Sequence, residues 1–73
     1  MNETVTATYE SETMVKNVVE ALIDSIGIPQ EKIFVDKPNK QVKVIVPTTI
    51  ENEVKRVMQS HRPKNMSERV WES

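Results

Sequence analysis

The 73-residue chain contains no cysteine, one glycine, one histidine, and one each of tyrosine, phenylalanine and tryptophan. Without thiols, disulfides, thiolate metal sites and thiol nucleophiles are all excluded. A phosphate-cradling loop needs several positions where bare backbone approaches the anion, and Gly27 alone cannot build one. His61 has neither a second histidine nor a cysteine to complete a transition-metal site. Near the end of a helical stripe, it reads instead as a residue favoured by the helix macrodipole. Two carboxylate pairs, Glu10 with Glu12 and Glu51 with Glu53, have a spacing of two. That spacing points side chains apart on a helix and leaves them in water on a strand. No catalytic residue, metal or cofactor is expected, and the chain reads as a non-enzyme. Apolar runs fall short of the ~18–20 residues of a membrane span. Met1-Asn2-Glu3-Thr4 has neither the basic nor the apolar region of a secretory leader. A cytoplasmic protein is the expectation.

What is present is a change of hydrophobic period along the chain. Thr4-Val5-Thr6-Ala7-Thr8-Tyr9 alternates by two, as a half-buried strand does, with Val5, Ala7 and Tyr9 on one side. Ser11 then suits an N-cap, since its hydroxyl can accept from an early unpaired backbone N–H. Met14, Val15, Val18, Val19, Leu22, Ile23 and Ile26 trace one helical face. Gly27 falls where a helix end needs positive φ, and Pro29 blocks continuation. Lys32–Asp36 and Gln41–Val46 read as strands around Lys37-Pro38-Asn39-Lys40, a turn that pairs Val35 with Val42 and Ile33 with Val44. Phe34, Lys43 and Ile45 then point the other way. Thr48-Thr49-Ile50-Glu51 has the form of a capping box. Ile50, Val54, Val57, Met58 and His61 form the second helical stripe, with Glu51 and Lys55 as an i,i+4 pair. Pro63 stops it, and residues 64–73 read as a short edge strand or a flexible tail.

The order β-α-β-β-α-β is that of a ferredoxin-like α+β fold: one domain over residues 1–73, a four-stranded antiparallel sheet and both helices on one face. Right-handed crossovers place the first and third strands in the centre. The other sheet face is left open. A domain this small buries only about 60% of its unfolded surface, so association with a second copy is a natural supplement. The expected contact residues on the open face are Thr6, Phe34, Lys43, Ile45 and Trp71, and the expected function is homodimerisation or another protein contact.

Charge suggests an alternative. Residues 1–31 carry six acids against one base, and residues 32–73 carry nine bases against five acids. Within the second half, Arg56, Arg62, Lys64 and Arg69 are candidates for contact with an anion or a nucleic-acid backbone. An RNA-binding sheet of this topology stacks bases on aromatic residues of its central strands. Here those strands offer threonines, Lys43 and Ile45. A phosphate-handling enzyme of this fold needs an arginine in a glycine-containing loop after the first strand, where this chain has the acidic Glu10-Ser11-Glu12. A third possibility is a regulatory domain that senses a small molecule between subunits.

The segments Val5–Tyr9, Met14–Gly27, Ile33-Phe34-Val35, Ile50–His61 and Asn65-Met66-Ser67-Glu68-Arg69 together resemble small bacterial domains related to the general-stress and heat-inducible protein families. Glu68-Arg69 matches their Glu-Arg tail, whereas His61-Arg62-Pro63 stands where those domains have a small residue. The resemblance implies a stress association and no particular reaction.

Overall fold

The computed structural model describes the backbone of residues 2–71 and side chains through Arg69. Its elements are β1 (Asn2–Thr8), α1 (Glu12–Ala21), β2 (Ile33–Asp36), β3 (Gln41–Pro47), α2 (Glu51–Ser60) and β4 (Asn65–Trp71). The strands form one antiparallel sheet in the order β2-β3-β1-β4, the expected ferredoxin-like α+β arrangement with β1 and β3 central. Residues 65–71 are therefore a strand along β1, with Met66 opposite Ala7 and Glu68 opposite Val5. Val35 pairs with Val42 and Ile33 with Val44, in the register set by the alternation of β2 and β3. No described helix is long and apolar enough to cross a membrane.

One sheet face carries the core. Val5, Ala7 and Tyr9 meet Val42, Val44 and Val46, and the helices cover them with Val18, Leu22, Val54 and Met58. Each of these side chains is essentially removed from water. Tyr9 ties the layers together: its hydroxyl donates to the Met58 carbonyl at 2.8 Å, near the end of α2. That hydroxyl is buried, and desolvation pushes its pKa up to about 12.

Local chemistry explains most element ends. Ser11 caps α1, its Oγ accepting from the Met14 N–H at 3.2 Å. The helix continues past Ala21 as a wider π-type turn over Leu22–Ile26. There the Leu22 carbonyl accepts from both Gly27 and Ile28, each at 3.2 Å. Gly27 has φ +83°, the left-handed value that glycine adopts without steric cost.

Two expectations are corrected. The Thr48–Glu51 capping box does not form: Thr48–Ile50 make a 3-10 turn, and Ile50 occupies the N-cap with no side-chain hydrogen bond. Glu51 turns instead to Lys55, 3.4 Å away. In the β2–β3 turn Lys40 takes a positive φ, 52°. Asn39 Nδ2 donates back to Asp36 at 2.8 Å, and the Lys40 carbonyl accepts from the Tyr9 N–H, also at 2.8 Å. Finally, β1 spans Asn2–Thr8 where Thr4–Tyr9 was expected. Two residues earlier in the alternation, Glu3 joins Val5 and Ala7 on the core side.

Candidate functional site

The open sheet face can be read in rows across β2, β3, β1 and β4. One row is Asp36, Gln41, Thr8 and Asn65; the next is Phe34, Lys43, Thr6 and Ser67. A third is Ile45, Thr4 and Arg69. Four of the five expected contact residues thus have their side chains placed: Phe34 and Lys43 are direct neighbours, Thr6 adjoins Lys43, and Ile45 lies diagonal to Phe34. The Trp71 backbone pairs with Asn2 at the opposite corner, and its side chain lies outside the described residues. The face is mostly polar. Threonine hydroxyls, Lys43, Arg69 and amides surround the Phe34–Ile45 pair, and Gln41 Nε2 donates to Thr8 Oγ1 at 3.4 Å.

Apolar exposure instead concentrates on one edge. Phe34 is 49% exposed and Val35 42%. They are consecutive residues of β2, so one faces the open side and the other the helix side. Beneath α1 this leaves a groove of about 470 Å³, lined by Val15, Val19, Ile23 and Val35 together with charged side chains of both signs, Lys16 and Glu20 among them. The groove exists because β2 is an edge strand and α1 packs inward over β3. The two edges of the sheet differ in kind. β4 presents Glu68 on its helix side and Arg69 on its open side, the charged residues that discourage strand addition. Over Ile33–Val35, β2 has no such protection.

The basic candidates do not share a surface. Arg56 is exposed on α2, above the helix face of the sheet, whereas Arg69 is exposed on the open face below it. Arg62 and Lys64 lie in the connection between α2 and β4, where Arg62 has φ 57° and the Lys64 N–H donates to the Thr8 carbonyl at 2.7 Å. His61 ends α2 as expected, half-buried, its Nδ1 3.0 Å from the Val57 carbonyl.

A second group went unrecognised in the sequence. Carboxylate oxygens of Glu3, Glu51 and Glu68, one from each, lie within 4.8 Å of one another. Glu3 is fully buried, and neither of its oxygens has a hydrogen-bond partner. Lys55 Nζ sits 3.4 Å from Glu51 Oε1 and 2.5 Å from Glu68 Oε2. The hydrogen bond to Glu68, with the second carboxylate adding to it, raises the Lys55 pKa. The alternation does carry part of the signal, because Glu68 has the same parity as Met66 and Val70. Its meeting with Glu3 required the β1–β4 pairing. Comparison with protein families, curated proteins and solved structures finds no match for this chain.

Proposed function

We propose that this chain is a non-enzymatic contact module that pairs with a second copy of itself through the β2 edge. The observation that carries this reading is the pair of exposed apolar residues, Phe34 and Val35, on opposite faces of the edge strand β2. An unpaired edge offers a row of backbone N–H and C=O groups, and strand addition satisfies them.

A twofold axis through Phe34 gives a self-complementary register. Phe34 then meets its own counterpart, Asp36 stands opposite Lys32 of the second copy, and Ile33 stands opposite Val35 of the second copy. Opposite residues of an antiparallel pair share a face. The open side therefore holds the aromatic pair flanked by two opposite-charge pairs, and the helix side holds the aliphatic residues. The result is an eight-stranded sheet with four helices on one face, the α1 groove of each copy closing against the other. Phe34, Lys43, Thr6 and Ile45 retain a place in this reading: Phe34 at the axis and the others behind it on the open face. A stress-associated setting belongs to the same proposal, on the resemblance carried by the segments from Val5–Tyr9 to Asn65–Arg69.

A small-ligand reading draws on one specific feature. The α1–β2 groove has the volume of a small-molecule pocket, so a ligand held between subunits would sit there. Nucleic-acid binding is less favoured, since Arg56 and Arg69 lie on opposite sides of the sheet.

Sedimentation equilibrium at low and high salt, with cysteine cross-linking, tests the proposal. A dimer that persists in salt, is lost in Val35→Asp, survives Ile45→Ser, and in Phe34→Cys oxidises to a disulfide-linked pair supports edge pairing. Loss of the dimer in Ile45→Ser with Val35→Asp unaffected would move the contact to the open sheet face. A monomer at all concentrations overturns self-association.

A further inference from the structure

We infer that Glu3, Glu51 and Glu68 form a site for a hard divalent cation of the calcium, magnesium or manganese class, which fastens β4 and α2 to β1. The site is independent of the β2 edge, at the other side of the sheet.

The argument begins with Glu3. Its position in β1 turns its side chain toward the helices, beside Val5 on the same face, and none of its surface reaches water. Both carboxylate oxygens lack a hydrogen-bond donor. A carboxylate in that position forfeits hydration without replacement, so it requires either a proton or a positive partner. Its surroundings offer further ligands for a positive partner. Glu68 approaches from β4, where it stands opposite Val5, and Glu51 approaches from the first turn of α2. Three carboxylates thus converge from three elements, with one oxygen of each inside a 4.8 Å span.

Lys55 is the cation already present, and it serves two of the three. Its ammonium pairs with Glu51 and Glu68 and makes no hydrogen bond to Glu3. With that ammonium held by Glu51 and Glu68, Glu3 is left without a positive partner, which a cation entering the cluster would supply. An all-oxygen donor set selects hard cations over the thiophilic ones. An ion with oxygens at roughly 2.3–2.6 Å places opposing ligands about 5 Å apart, so this cluster can close on one ion, with water completing the shell. Lys55 has a long, partly exposed side chain that can swing outward to make room.

The test uses manganese(II) and the full chain, with free Mn²⁺ read by its paramagnetic resonance signal and Ca²⁺ and Mg²⁺ as competitors. The expected result is saturable binding at one ion per chain. Glu3→Gln keeps the side-chain shape and removes the buried charge, so it should fold at least as well. It should weaken Mn²⁺ binding on the order of tenfold or more, since even an outer-shell loss has an effect of that size. Lys55→Gln removes the competing ammonium and should tighten binding, whereas a lysine that only braces the fold would not change affinity in that direction. Absence of saturable binding by both the wild type and Lys55→Gln overturns the site. So does affinity unchanged by Glu3→Gln, or a carboxylic-acid C=O band in the infrared that Glu3→Gln removes and Mn²⁺ leaves in place, which would show a proton where the ion should be.

Discussion

Replacing Tyr9 by phenylalanine should destabilise the protein near neutral pH and stabilise it in strong alkali. The hydroxyl donates to the Met58 carbonyl at 2.8 Å across the layer between β1 and α2. Removing it forfeits one buried hydrogen bond, worth about 1 kcal/mol net. The cost should stay near that figure because the Met58 carbonyl also accepts from the His61 N–H at 3.3 Å and is not orphaned. For a domain of this size that corresponds to roughly 4–8 °C in melting temperature. Alkali reverses the order. In the unfolded chain the phenol ionises at its ordinary value of 10.0, but burial holds it protonated in the folded protein until about 12. Between those values the folded state binds a proton that the unfolded state has lost, so stability falls as pH rises. Two pH units set an upper limit of about 3 kcal/mol. Screening by nearby solvent in so small a domain discounts this to about 1–2 kcal/mol. The wild type should therefore lose its advantage over Tyr9→Phe near the top of that window. Lysines titrate in the same range, but their contribution is common to both proteins and cancels in the difference. Urea unfolding at a series of pH values measures that difference, and tyrosinate absorbance reports Tyr9 directly, since it is the only tyrosine. A difference that stays constant through pH 12, or tyrosinate appearing near pH 10 in the folded protein, would refute the reasoning.

Two further substitutions probe the ends of the first helical segment. Gly27→Ala meets no atom within 4 Å, so its cost comes from the φ of +83° alone; thermal unfolding should show a loss of roughly 1–2 kcal/mol, with Gly27→Asn less costly. Equal stability of all three proteins would mean the left-handed conformation is not maintained in solution. Ser11→Ala removes the acceptor for the Met14 N–H and should lose about 1 kcal/mol in denaturant unfolding, while Ser11→Asp restores the cap. Failure of aspartate to recover stability would show that the hydroxyl acts elsewhere.

The local grammar of this chain was legible without coordinates. Period-two alternation set the faces of β1, β2 and β3, including the Val35–Val42 and Ile33–Val44 pairs, because a strand's side chains can only alternate. Ser11 and Gly27 marked the ends of the first helical segment through bonding and backbone constraints that act within a few residues. The order of the elements then implied the sheet topology, since chain connectivity admits few alternatives. Tertiary structure decided the rest. That Ile50 and not Thr48 stands at the N-cap of α2, after a 3-10 turn over Thr48–Ile50, was not legible in the Thr48–Glu51 motif. Val35 carries the apolar residue of a core position, yet it is exposed because α1 settles over β3 and leaves the edge strand uncovered. Glu3 and Glu68 are 65 positions apart, and no local pattern relates them. They meet because β4 returns antiparallel to β1, and only that pairing determines that one of the two carboxylates is shut away from water. Alternation is a property of the backbone, which each segment carries with it. Exposure and charge proximity are properties of what the neighbouring segments cover.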